Sequence, residues 1–88
     1  MTSSLPKQTA LVTGGSRGIG RAIAVALGEA GVEVVVNYSS SAEKAEEVVA
    51  SINSNGGNAY ALQADVSNEN SVNQLVQNTL ARSGRIDI

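Results

Sequence analysis

The chain alternates between short apolar runs and longer amphipathic stretches, a pattern typical of strands and helices in turn. Three apolar runs, each bounded by Gly, Asn or Ser, predict buried strands at residues 9–13, 32–37 and 59–64. Residues 85–88, which read Arg-Ile-Asp-Ile, are typical of the opening of a fourth strand. The segments between these runs are long enough for one helix each.

The intervening segments repeat apolar residues every three or four positions, which predicts one apolar face on each helix. In the first segment that face consists of Ile19, Ile23, Ala26, Leu27 and Ala30. In the second it consists of Ala45, Val48, Val49 and Ile52, and in the third of Val72, Leu75, Val76 and Leu80. We expect these faces to pack on the sheet.

Residues that favour helix ends flank each predicted helix. Ser40 is a candidate N-cap for the second helix, with Glu43 three residues later completing a capping box. Ser67 is a candidate N-cap for the third helix. Gly31 and Gly84 are placed to end the first and third helices, because glycine adopts the left-handed conformation that follows many helices.

The resulting order, βαβαβαβ with short connections, predicts an α/β fold with a parallel sheet and right-handed crossovers. It corresponds to the N-terminal half of a Rossmann doubly wound parallel sheet, with strand order 3-2-1-4. We interpret residues 1–88 as one partial dinucleotide-binding domain, truncated at the fourth strand. The first strand is then central, and its carboxyl end faces the binding crevice.

Composition narrows the possible functions. The chain has 88 residues, of which 42% are hydrophobic and only two, Tyr38 and Tyr60, are aromatic, so the predicted core is aliphatic. A net charge of -2 gives no basic footprint for nucleic acid or an anionic membrane. Cys and His are absent, which excludes disulfides, thiolate nucleophiles, His-based triads and the usual zinc sites. No apolar run reaches membrane-spanning length, and we expect a cytoplasmic protein.

A glycine-rich turn, Thr13-Gly14-Gly15-Ser16-Arg17-Gly18-Ile19-Gly20, joins the first predicted strand to the first helix. Glycines let the backbone turn sharply and approach a ligand without a Cβ in the way. The N–H groups and partial positive charge of a helix N-terminus favour a phosphate or pyrophosphate. Ser16 adds a hydroxyl and Arg17 a cation, so the turn predicts a phosphate-binding site rather than a purely structural bend.

Spacing separates this turn from two related motifs. A P-loop requires Gly-Lys-Ser/Thr after its first glycine and four residues, but Gly20 is followed by Arg21 and Ala22. The strict Gly-x-Gly-x-x-Gly fingerprint also fails, because Gly18-Ile19-Gly20 leads to Ile23. The remaining pattern is Thr-Gly-x-x-x-Gly-x-Gly.

The end of the second predicted strand indicates which dinucleotide is bound. A carboxylate there usually binds the ribose 2′-hydroxyl of NAD, whereas residues 37–41 contain no acid. Arg17 could pair with a 2′-phosphate through its guanidinium, while Ser39 and Ser40 donate hydrogen bonds. We therefore expect NADP(H) rather than NAD(H). The alternative for Ser40 is plain helix capping.

Several segments together resemble the short-chain dehydrogenase/reductase family over the whole chain. The turn at residues 13–20 resembles its cofactor motif, and Ala64-Asp65-Val66-Ser67 its adenine-contact segment. Residues 84–88 resemble the lead-in to its fourth strand. Val34-Val35-Val36-Asn37-Tyr38 is similar to 3-oxoacyl-acyl-carrier-protein reductases.

The resemblance implies hydride transfer between NADPH and a carbonyl or alcohol, usually in a homotetramer. It also implies that Asp65 and Val66 contact the adenine, although a loop acid at a helix start is the alternative for Asp65. The cofactor-binding residues predicted from spacing and resemblance together are Gly14, Ser16, Arg17, Gly18, Ile19, Gly20, Tyr38, Ser39, Ser40, Asp65 and Val66.

The family's catalytic groups have no counterpart in this sequence. Its Asn-Asn-Ala-Gly segment, catalytic Ser and Tyr-x-x-x-Lys motif would lie beyond Ile88. Tyr38 and Tyr60 are followed four residues later by alanines, not lysines. We therefore predict no catalytic or metal-binding residue here and no activity of the chain alone. A stand-alone nucleotide-binding or interaction module is the alternative, and a flavodoxin-like or receiver-type domain is disfavoured by the turn at Arg17.

Overall fold

The computed structural model describes residues 8–14 and 18–88. Within these residues three strands and three helices alternate, as predicted. In chain order they are β1 (Thr9–Val12), α1 (Gly18–Glu29), β2 (Glu33–Tyr38), α2 (Ala42–Ser54), β3 (Asn58–Gln63) and α3 (Glu69–Ser83).

The strands form one parallel sheet in the order β1-β2-β3, so β2 is central among them. The register aligns the first residues of all three strands, with Thr9 opposite Glu33 and Glu33 opposite Asn58. The carboxyl ends of the strands consequently meet at one edge of the sheet. The α/β class and the 3-2-1 part of the predicted order are confirmed.

Residues 85–88 lie where the opening of a fourth strand was predicted, and they hydrogen-bond to β1 without forming a regular strand. The N–H of Leu11 donates to the carbonyl of Ile88 at 2.8 Å, while the carbonyl of Thr9 accepts from the N–H of Asp87 at 2.8 Å and from the N–H of Ile88 at 3.2 Å. The two bonds of Ile88 follow the pattern of a parallel pair, with Ile88 opposite Ala10. This pairing lies on the edge of β1 that faces away from β2.

An aliphatic core fills the space between the sheet and the helices α1 and α2. Val34 and Val36 of β2 pack there with Ala24 of α1 and Val48 and Ile52 of α2, all nearly inaccessible to water. Side chains alternate along a strand, so Val35 and its neighbour Tyr60 on β3 point to the other face.

That second face is covered by α3. The hydroxyls of Tyr60 and Ser83 are 2.6 Å apart, and the guanidinium of Arg82 lies 3.9 Å from the centre of the Tyr60 ring. Leu75 and Thr79 are buried on the inner side of α3. Leu75 was predicted to be there, whereas Leu80, also predicted, is 42% exposed.

The predicted apolar face of α1 was wrong. Four of its five members are exposed, namely Ile19, Ile23, Ala26 and Ala30. The buried residues of this helix are Ala24 and Gly28. A Cβ on Gly28 would stand 2.7 Å from Cγ2 of Ile52, so the two helices approach too closely for a large side chain. By contrast, the predicted face of α2 is confirmed.

The two N-cap predictions were each wrong by one residue. Ser41 rather than Ser40 precedes α2, and its side chain makes no capping hydrogen bond, so the predicted capping box is absent. Asn68 rather than Ser67 caps α3, its Oδ1 accepting from the N–H of Ser71 at 3.1 Å. Each predicted cap lies in a run of polar residues that offers several equivalent oxygens.

The glycine helix stops were predicted correctly. Gly31 has φ 89° and follows α1, where its N–H donates to Gly28 and the next N–H, of Val32, donates to Leu27. These paired bonds satisfy the last carbonyls of the helix. Gly84 has φ 82° after α3, and its N–H donates to Leu80 at 2.8 Å.

Candidate functional site

A cleft lies at the carboxyl edge of the sheet, where the chain leaves β1, β2 and β3. Ligands of open α/β sheets bind at this edge. The residues that line the cleft are Gly14, Asn37, Tyr38, Ser39, Ser40, Ser41, Ala64 and Val66. Five of them belong to the predicted site, namely Gly14, Tyr38, Ser39, Ser40 and Val66.

Gly14, at the start of the glycine turn, lines one side of this cleft. Gly14 has φ 64° and Gly18, the first residue of α1, has φ 60°, a region that side chains rarely adopt. A Cβ on either glycine would meet no described atom within 4 Å, so both backbones face open space. The predicted contacts of Ser16 and Arg17 lie outside the described residues.

The other predicted members of the turn do not line the cleft. Ile19 is 80% exposed at the start of α1, and Gly20 is partly buried in the first turn of that helix. Gly18 begins the helix beside them. Their predicted contacts with a cofactor remain predictions.

The end of β2 carries a buried polar residue that the sequence reasoning did not single out. Asn37 is 2% exposed, and its Nδ2 donates to the carbonyls of Leu62 and Ala64, both at 3.3 Å. The signal was present: a single amide at the end of an otherwise apolar, β-branched run. Ser41 and Ala64 are the other lining residues that were missed.

Three serines follow β2 and form the second wall of the cleft. The backbone carbonyl of Ser39 accepts a hydrogen bond from Nε2 of Gln63 at 3.0 Å, which ties this loop to the end of β3. Ser41 sits at the N-terminus of α2 without a side-chain capping bond. The first N–H groups of α2 are therefore not capped by Ser41, and Ser40 does not take that role either.

Asp65 follows β3 but does not line the cleft. Its Oδ1 accepts hydrogen bonds from the backbone N–H of Ser67 at 3.0 Å and from the Ser67 hydroxyl at 2.6 Å. The hydroxyl, and secondly the N–H, lower the pKa of Asp65 below its ordinary value of 3.8. Asp65 is thus an ionised carboxylate that organises the turn into α3, while Val66, 50% exposed, provides an apolar surface in the cleft.

The charge of the cleft walls favours an anion over a cation. None of the lining residues carries a carboxylate. Hydroxyls, helix N–H groups and glycine backbone surround the space instead, and these groups donate hydrogen bonds to phosphate oxygens. Over residues 8–14 and 18–88, no three acidic side chains converge as they would around a metal ion. No helix in the same residues combines the length and apolarity needed to cross a membrane.

Sequence comparison relates the chain to enzymes of known class. A sequence model of the family described as short chain dehydrogenase matches residues 8–88. A 3-oxoacyl-[acyl-carrier-protein] reductase of Synechocystis is 52% identical over 86 residues, covering 98% of this chain and 35% of the relative. A versicolorin reductase of Emericella nidulans is 51% identical over 84 residues, covering 96% of this chain and 32% of the relative.

Solved structures give the same relationship. A metagenomic short-chain oxidoreductase crystallised in complex with NADP matches with a TM-score of 0.90 and 41% identity, covering 98% of this chain and 38% of that one. A short chain dehydrogenase from Burkholderia cenocepacia, also in complex with NADP, matches with a TM-score of 0.85 and 44% identity. The match covers 92% of this chain and 33% of that one. The chain spans about a third of the length of the curated relatives it matches.

Proposed function

Because this chain belongs to the short-chain dehydrogenase family, we propose that its cleft binds the adenosine and pyrophosphate portion of NADPH. NADH is the weaker ligand in this proposal. The observation that carries it is the absence of any carboxylate among the lining residues, together with the serines that follow β2. Relatives of known structure that were crystallised with NADP support it.

The pyrophosphate belongs at the glycine turn. Gly14 and Gly18 leave open the space that a Cβ would fill, so phosphate oxygens can approach the backbone there. The N-terminus of α1 begins at the same place and contributes backbone N–H groups and a partial positive charge. Ser16, Ile19 and Gly20 complete the predicted contacts of this turn.

The 2′-phosphate belongs at residues 39–41, where hydroxyls and the N-terminus of α2 meet. Arg17, which lies outside the described residues, is proposed to neutralise the charge of that phosphate. The adenine ring packs against Val66, with Tyr38 on the strand beneath. Asp65 holds the turn that presents Val66, because its side chain accepts two hydrogen bonds from Ser67 and its backbone carbonyl accepts one from the N–H of Asn68.

The complete enzyme transfers hydride between NADPH and a carbonyl or alcohol, and we propose a 3-oxoacyl thioester as the type of substrate. When bound, the nicotinamide cofactor supplies or accepts the hydride. The residues of this chain bind and orient the adenosine end, and none of them exchanges a proton with a substrate. The 88-residue chain is therefore inactive alone, and its assembly into a homotetramer belongs to the complete enzyme.

The preference for NADPH is tested by placing an acid where none is present. Ser39→Asp puts a carboxylate in the cleft beside the proposed 2′-phosphate, and repulsion should weaken NADPH binding about tenfold or more at low salt. NADH binding should change much less. Asn73→Asp, on the exposed surface of α3, adds the same charge away from the cleft and should leave both affinities unchanged. Equal weakening of NADPH binding by both variants would contradict the proposal.

Arg17 is tested in the same assay. Arg17→Ala removes a charge-assisted hydrogen bond worth about 1.5–3 kcal/mol, and it should weaken NADPH binding by about tenfold or more. Arg21→Ala removes the same charge four residues later in the chain, where the side chain is exposed on α1, and is the matched control. If NADH affinity falls as much as NADPH affinity in Arg17→Ala, Arg17 does not select the 2′-phosphate.

A further inference from the structure

We propose that Asn37 is the positioning residue of the cleft. It holds the serine wall (residues 39–41) and the adenine wall (Ala64 and Val66) at a fixed separation. The inference rests on the proposed function, because those walls are assigned through it. Asn37 does not act through its charge or its exposure, since it is neutral and 2% exposed. It acts through the three carbonyl groups within reach of its side-chain amide.

The amide of Asn37 replaces the part of the ladder that is lost where β2 ends. The last regular bond between these strands runs from the N–H of Ala64 to the carbonyl of Tyr38, at 2.9 Å. Beyond it β2 turns away, and the carbonyl of the buried residue Ala64 has no strand residue opposite. Nδ2 of Asn37 donates to that carbonyl and to Leu62, with Tyr38 at 3.5 Å as a third, weaker acceptor.

These bonds fix the points from which both walls start. The serine wall leaves β2 two residues after Asn37, and the adenine wall leaves β3 at Ala64, the residue that Asn37 holds. A buried amide with satisfied hydrogen bonds permits little movement, because separating the strands would leave polar groups unpaired. Gln63 makes a second tie to Ser39, but from the exposed side of β3.

A second asparagine clamps β3 at its other end and provides a matched control. Oδ1 of Asn53 accepts from the N–H of Ala59 at 2.8 Å, and its Nδ2 donates to the carbonyl of Ala59 at 3.2 Å. Asn53 therefore holds α2 to the amino end of β3, whereas the cleft lies at the carboxyl end. Removing either amide costs stability, but only Asn37 is connected to the cleft.

The test compares Asn37→Ser and Asn53→Ser in the 88-residue chain, at a temperature where circular dichroism shows both to be folded. NADPH affinity is measured by calorimetry, and amide hydrogen exchange is followed by NMR. We expect Asn37→Ser to weaken NADPH binding about tenfold and to speed exchange of the Ala64 N–H by a similar factor, on the scale of one lost hydrogen bond. Asn53→Ser should speed exchange at Ala59 and leave NADPH affinity unchanged.

Unchanged NADPH affinity in Asn37→Ser overturns the inference, and so does an equal loss of affinity in both variants. If the unmodified chain binds no NADPH, the proposed function is wrong. The inference is then tested by the hydrogen-exchange rate of the Ala64 N–H alone, and a rate in Asn37→Ser equal to that of the wild type overturns it. Should Asn37→Ser not fold, Asn37→Thr replaces it, because threonine keeps a β-branched side chain on the strand.

Discussion

Gly28 of α1 lies directly against Ile52 of α2, so that a Cβ on Gly28 would stand 2.7 Å from Ile52 Cγ2. Alanine normally stabilises a helix interior by about 1 kcal/mol relative to glycine. Here the added methyl group overpacks the core, and we predict that Gly28→Ala lowers the free energy of unfolding by about 1–3 kcal/mol. Urea unfolding followed by circular dichroism measures the change.

Ile52→Leu provides the control for this contact. Leucine lacks the branch at Cβ and so removes the Cγ2 atom that approaches Gly28 most closely. The double variant should lose less stability than the sum of the two single variants, by about 0.5 kcal/mol or more. A Gly28→Ala chain that is more stable than wild type would show that the helices do not pack this closely.

Gly57, which directly precedes β3, is the second glycine that lies close to Ile52. A Cβ there would stand 2.6 Å from Ile52 Cγ2, but also 2.9 Å from the backbone oxygen of Ile52. A backbone oxygen cannot rotate away, so we predict that Gly57→Ala costs more stability than Gly28→Ala. Ile52→Leu should not rescue it. The same urea titrations measure the stability of Gly57→Ala alone and together with Ile52→Leu. Full rescue of Gly57→Ala by Ile52→Leu would contradict the prediction and mean that the clash is with the side chain alone.

The cap of α3 provides a direct test of the corrected helix boundary. Asn68→Ala removes the acceptor of the Ser71 N–H and should cost about 1 kcal/mol of unfolding free energy. Ser67→Ala should cost less, because the backbone N–H of Ser67 keeps its bond to Asp65. Thermal unfolding of the two variants compares them, and a larger loss in Ser67→Ala would favour the boundary predicted from the sequence.

Asp87 makes stability depend on acid pH. The Arg85 guanidinium, and secondly the N–H of Thr9, which donates to Oδ2 at 2.9 Å, lower the pKa of Asp87 below 3.8. A carboxylate whose pKa is lower in the folded state stabilises the fold above its unfolded pKa and loses that contribution as pH falls through the folded value. We expect the stabilisation to be complete at neutral pH and to disappear progressively below 3.8.

Asp87→Asn removes this carboxylate while keeping the size of the side chain. Its urea midpoint should lie below that of wild type at pH 7, and the difference should shrink as the pH is lowered into the acid range. Arg85→Ala should give a part of the same effect, because the bond from Thr9 remains. A difference between Asp87→Asn and wild type that is constant with pH would contradict the assignment.

The order of strands and helices and the family could be predicted from the sequence, because both depend on patterns along the chain. Apolar runs separated by amphipathic segments require a parallel α/β arrangement, and the glycine turn identifies the family, which the match over residues 8–88 confirms. Aliphatic residues on α2 also faced the core as predicted. Their periodicity is clear because acidic and polar residues fill the opposite face.

The face of α1 could not be predicted because hydrophobicity does not reveal which helix must pack most closely. Ala24 and Gly28 are buried because they are small, while Ile19 and Ile23 are larger and more apolar but exposed. Asn37 could be noticed as a single amide at the end of an apolar run, but the contacts of its side chain could not be predicted. A polar residue at a strand end is typical of a loop, and only the geometry of β2 and β3 shows the carbonyls that it satisfies.

The preference of the cleft for NADPH is tested most directly by calorimetric titration of the 88-residue chain with NADPH and with NADH, under identical salt. We expect the folded chain to bind both and to bind NADPH tighter by about tenfold, the contribution of at least one charge-assisted hydrogen bond to the 2′-phosphate. Equal affinities, tighter binding of NADH, or no binding of either by a folded chain would contradict it.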